Sequence, residues 1–245
     1  RGRAVAEALD GKSAMLTGLL THPSTHSAGE AVLAGLDALS TRDVRGGAFG
    51  VFEGMLQSDA ARAELPLPID QDALALQGVW SSRPSGPAAV LDRYRRANPI
   101  NLLFSLSICG LTAPPEPSVM APSLPAEVAT GVWADIEACH RSPFVPGVWR
   151  ELAPWPDVVD DLWPRVRALA SAGGLVAARD TVRQLAIDAL SGTAAAQSAA
   201  EVRAALDPDA AASFDWFPTG VATMIAEVEW LTWYSGTPHQ GKDRP

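Results

Sequence analysis

The sequence predicts an all-α fold divided near its middle by a Pro-rich connector. Three observations carry that expectation. Apolar side chains recur at helical spacing over most of the chain. Ala is abundant, and Val, Ile and Thr rarely alternate with polar residues over strand lengths. The stretch Thr112–Pro125 holds Pro114, Pro115, Pro117, Pro122 and Pro125, a density no helix accepts and a semi-rigid extended connector does.

The expected organisation is therefore an N-terminal half over 1–111, a Pro-rich linker over 112–125, a C-terminal half over 126–238 and a polar tail over 239–245. In the first half, helical spacing covers Ala28–Leu39, Val51–Leu56, Ala88–Tyr94 and Pro99–Leu111. Asn98-Pro99 reads as an N-cap followed by Pro at the first helical position, which places a helix start there. In the second half the spacing covers Ala126–Cys139, Val148–Ala153, Val158–Ala172, Val176–Ser191, Ala199–Leu206 and Pro218–Trp233. Gly173-Gly174 and Asp207-Pro208 read as breaks.

A chain of 245 residues can bury a sizeable core, and an apolar content of 47% suits a globular protein. The net charge of −9 argues against a surface that tracks nucleic-acid phosphates. Cys109 and Cys139 are too few for a disulfide framework, and no CxxC pair suggests zinc. They read as free, reduced thiols, which with the lack of a signal-peptide pattern points to the cytoplasm. The apolar run around Leu102–Leu111 is too short to cross a bilayer, so no membrane role is expected. No phosphate loop, dinucleotide fingerprint or haem motif is present, and the expectation is no cofactor and no metal. His22 and His26 are separated by Pro23, which argues for a loop rather than a helical metal pair.

The halves echo each other weakly. Val51–Met55 can be laid over Val148–Leu152, and Asn98-Pro99 before an apolar helix over Phe217-Pro218 before another. The segments Arg93–Leu103 and Ser142–Pro156 go further. As a pair they resemble the DL-2-haloacid dehalogenases that hydrolyse both enantiomers without a covalent intermediate. The resemblance covers roughly Leu91–Leu190. It implies an all-helical fold of two related halves with an active-site cleft between them. It also implies that an Asn and an Asp share the attacking water. The Asn matches Asn98, but the Asp position, two residues before Arg150, is Val148. A valine takes no proton from water, and loss of a general base slows such a reaction by about two to four orders of magnitude.

The residues expected to carry chemistry follow from that gap. Asn98 is the first, as a polarising group or as a simple N-cap. Glu227 and Glu229 sit on the last long helix among Met224, Val228 and Trp230, where a buried carboxylate would have a raised pKa and act as acid or base. The bland alternative is that both reach solvent at the edge of an apolar stripe. Phe49, Phe52, Asn101, Val148, Trp149, Arg150 and Trp230 are the expected substrate-binding residues. Eight Trp against two Tyr suggest a large apolar pocket. Core packing is the ordinary role for such residues. Arg150 equally suits bracing of Glu151. His140, next to Cys139, reads as a structural histidine. Asp135 and Glu137 read as a solvated helix face.

The expected function is an enzyme acting on an organic small molecule in an apolar pocket between the halves. Its chemistry is changed from dehalogenation to a cyclisation, rearrangement or elimination in secondary metabolism. The alternatives are hydrolytic dehalogenation through another carboxylate, and a ligand-binding protein without catalysis. A monomer and a homodimer are both compatible with the sequence.

Overall fold

The computed structural model describes residues 41–57, 65, 86–109, 111, 131–140, 145–193, 203–204 and 208–233. The described residues form seven helices and no strand. They are α1 (Thr41–Leu56), α2 (Pro87–Cys109), α3 (Val132–His140), α4 (Gly147–Leu152), α5 (Pro156–Ser171), α6 (Gly174–Leu190) and α7 (Pro208–Trp233). The Pro-rich stretch 112–125, the tail 239–245, His22, His26 and the helix expected at Ala28–Leu39 lie outside the described residues.

Helix α7 is the centre. From Phe217 to Thr232 nearly every side chain is buried, as for a helix surrounded by others. It packs most extensively on α2, then on α6 and α1. Helix α6 presents Leu175, Ala178, Val182, Ala186 and Leu190 inward, spaced three and four apart. Its close approach to α1 depends on Gly47, where a Cβ would lie 2.5 Å from Leu185 Cδ1 and 3.2 Å from Thr181 Cγ2. Helix α5 starts with Pro156 at its first position and Asp157 in its first turn, and buries Val158, Leu162, Val166 and Leu169 on one face. Gly173, at φ 77°, separates α5 from α6 in the left-handed region that favours glycine.

Two expected helix starts are corrected. Asn98 is not an N-cap: α2 runs unbroken from Pro87 to Cys109 with Pro99 inside it. The expected helices over Ala88–Tyr94 and Pro99–Leu111 are one element. Likewise Pro218 lies inside α7, which begins at Pro208. Proline removes one amide, so no N–H at Pro99 can bond the Arg95 carbonyl, but a helix flanked by neighbours on both sides tolerates this. Around Pro99, burial on both sides of the proline overrides the local break signal.

Candidate functional site

Buried polar side chains in this core divide into two kinds. The hydroxyls satisfy themselves within their own helix: Ser105 donates to Leu102 O at 3.0 Å, Ser107 to Leu103 O at 2.9 Å and Thr232 to Val228 O at 2.7 Å. His140, Glu227 and Glu229 reach groups on other helices instead.

Glu227 is fully buried, against the bland expectation that it reaches solvent. Its Oε2 accepts from Trp149 Nε1 at 3.2 Å, and its Oε1 lies 2.7 Å from His140 Nε2. The second contact has hydrogen-bond length, but the approach is too oblique for an aligned bond, so both atoms fall short of a satisfied pair. We weigh it as a charge–dipole contact, because separation rather than angle governs that attraction. The carboxylate thus joins α7 to α3 and to α4, one residue past Val148. Val148 itself is buried.

The surroundings are aromatic. Trp149 meets Trp163 edge-on with centroids 5.2 Å apart, and His140 stacks on Trp163 at 6.2 Å. Trp163 Nε1 donates to Asp135 Oδ2 at 2.7 Å, and Arg167 Nε reaches the same oxygen at 3.1 Å. Asp135 is therefore engaged across helices and not a simply solvated residue. Burial, and then the nearby Glu227 carboxylate, push the Cys139 thiol up from its ordinary value, which keeps it a poor nucleophile.

Glu229 is also buried and takes a different role. Arg95 Nε donates to Oε1 at 3.1 Å and to Oε2 at 3.2 Å, and Arg45 Nη1 donates to Oε1 at 3.3 Å. Burial holds its carboxyl above the usual range, and the two guanidinium groups only partly offset that. The clamp ties α1, α2 and α7 together.

Asn98 is 1% exposed, and its Nδ2 has no hydrogen-bond partner among the described residues. It lies one turn beyond Tyr94 on α2. Tyr94 packs on the start of α4, donating to Glu151 Oε1 at 2.9 Å, and Glu151 is also held by Arg93. Asn101 is buried a turn further along. Phe52 on α1 packs edge-on to Trp230 with centroids 5.1 Å apart, and Trp230 Nε1 has no partner among the described residues. Phe49 is half-buried against the same core.

Of the expected residues, Asn98, Asn101, Phe52, Val148, Trp149, Glu227, Glu229 and Trp230 are buried on α1, α2, α4 and α7. Arg150 is exposed. The tryptophans pack on one another and on Phe52. The side chains of Trp216 and Trp233 lie outside the described ones. Sequence reasoning missed His140 as a partner of Glu227. The signal available was its place just before the second motif. No group of three or more His, Cys, Asp and Glu side chains that could hold a metal occurs among the described residues. No described helix is long and apolar enough to cross a membrane. No protein-family model matches the chain, and neither a curated protein nor a solved structure does.

Proposed function

We propose that the chain is a cofactor-independent enzyme on a DL-2-haloacid dehalogenase-like fold, acting on an organic small molecule at the meeting of α2, α4 and α7. The two halves are related, and each contributes a long helix with an internal proline, α2 with Pro99 and α7 with Pro218. The observation that carries the reading is Asn98. A buried amide without a partner costs about 1–3 kcal/mol, and a ligand oxygen at its Nδ2 would recover that. Glu227, on α7, supplies a buried carboxylate that reaches Trp149, the residue after the position where the resembled family has its Asp. Val148 keeps that position itself inert. The reaction is changed from direct hydrolysis to a cyclisation, rearrangement or elimination, promoted by one polarising amide and one acid–base group.

A second reading, hydrolysis of a 2-haloacid, is favoured by one contact, that of Glu227 with the indole of Trp149. Glu227 would then stand in for the missing Asp. Binding and halide release together test both. Each enantiomer of 2-chloropropionate is titrated against intrinsic Trp fluorescence and assayed for chloride, in wild type, Asn98→Ala and Val148→Asp. Saturable quenching lost in Asn98→Ala, with chloride released only by Val148→Asp, supports the changed reaction. Chloride from wild type that Asn98→Ala abolishes supports hydrolysis. No quenching and no chloride in any of the three proteins overturns both.

A further inference from the structure

We infer that His140 is a general base working through Nδ1, held ready by Glu227. This deepens the proposed function, since it rests on the reading that this interior receives a small organic ligand. The argument starts from the tautomer. Glu227 Oε1 lies 2.7 Å from Nε2; the approach is too oblique for an aligned bond, but the negative charge on that side favours the proton on Nε2 over Nδ1. That leaves the lone pair on Nδ1. The His140 side chain is 1% exposed, and Nδ1 has no hydrogen-bond partner among the described residues. A histidine with a merely structural role uses both nitrogens or leaves one in water. This one does neither.

The environment suits a proton acceptor. When Nδ1 takes a proton from a ligand C–H or O–H, the bond's electron pair stays on the ligand atom. The Nε2 proton stays in place. The imidazolium that forms is balanced by the Glu227 carboxylate, which itself is held by Trp149 Nε1 at 3.2 Å. Trp163, stacked on the ring, fixes its plane. The groups facing the pair are Cys139 on the same helix, Trp149 on α4, and Trp163 with Arg167 on α5; Asp135 neutralises Arg167. Glu227 is the positioning residue, and the ligand class is a small organic acid or a neutral compound with an acidified proton.

The test uses iodoacetate, a small 2-haloacid, on the intact chain. The Nδ1 lone pair attacks C2, an N–C bond forms, the C–I bond breaks and iodide leaves with its electron pair. Peptide mapping by mass spectrometry then separates carboxymethylated His140 from modified Cys139 and Cys109. The expected result is labelling of native His140 at Nδ1, protection by 2-chloropropionate, and labelling slowed at least about tenfold in Glu227→Gln, as loss of a charged partner does. Nitrogen-15 spectra of the imidazoles should show Nε2 protonated and Nδ1 bare at neutral pH, with the His140 signal identified by its loss in His140→Gln. The chain has four histidines, which keeps the spectrum simple. An Nδ1–H tautomer, or a native His140 that stays unlabelled while other histidines react, overturns the inference. Labelling at His140 with no enzymatic chloride release would leave the base standing and reject hydrolysis alone.

Discussion

Replacing Glu229 by Gln separates a structural clamp from a catalytic carboxylate. At 3.1 Å and an effective dielectric near 20, one guanidinium contact is worth about 5 kcal/mol before screening. Water reaches both partners, since the Arg45 and Arg95 side chains are 23% and 34% exposed, so the realised attraction is a fraction of that. Removing the carboxylate from water costs several kcal/mol. The two effects nearly cancel, and burial wins, because the Glu229 carboxyl lies above its ordinary range despite both arginines. Gln is a neutral isostere of the protonated acid, and both arginines can turn to water when the charge is gone.

The sign then follows. A raised folded pKa means the folded chain binds this proton more tightly than the unfolded chain. The stabilisation is complete below the unfolded carboxyl range and is lost as pH rises through the folded value. Wild type and Glu229→Gln should therefore have equal stability near pH 4. The variant should gain on wild type as pH rises, to about 1 kcal/mol near neutrality, the low end for neutralising a buried ion pair. Urea unfolding followed by Trp fluorescence from pH 4 to pH 8 measures this. If wild type instead gains on the variant with rising pH, the arginines outweigh burial and the reasoning is wrong. Retained ligand quenching in the variant would also remove Glu229 from the catalytic set.

Three further outcomes are expected. Asn98→Leu should stabilise the fold by about 1 kcal/mol in thermal unfolding while abolishing ligand quenching, because an unpaired buried amide is replaced by an apolar group of similar shape. Trp149→Phe should cost about 1–3 kcal/mol in urea unfolding, since Glu227 Oε2 loses its donor while remaining buried. Gly147→Ala should cost about 1–3 kcal/mol in the same assay, because a Cβ there would sit 2.5 Å from Tyr94 Oη and displace the ring from Glu151.

The helical class was legible because α5 and α6 place apolar residues three and four apart with a glycine between them. Pro99 and Pro218 misled for an identifiable reason. Local chemistry favours a helix start at a proline, but Pro99 sits in a stripe whose burial continues on either side, and Pro218 lies inside a helix that begins at Pro208. The candidate carboxylates were found by their apolar neighbours on one helix. Their distinct roles were not, since Arg45, Arg95, His140 and Trp149 come from four other helices. Helix periodicity says which face is buried and nothing about which charge meets it there.

The placement of unsatisfied groups is what gives this core a direction. Buried hydroxyls on α2 and α7 bond their own helix and so cost little wherever they fall. Asn98 Nδ2, His140 Nδ1 and Trp230 Nε1 lack partners among the described residues. At about 1–3 kcal/mol each, they remove a large part of the 5–15 kcal/mol that holds a typical domain together. Phe or Leu in their places would relieve that cost. Two of the three lie on the helices that pack most extensively together, and the third lies against a carboxylate on one of them. In the proposed reading, a ligand that offers an acceptor to Asn98 Nδ2 or Trp230 Nε1, or a donor to His140 Nδ1, recovers that cost atom by atom.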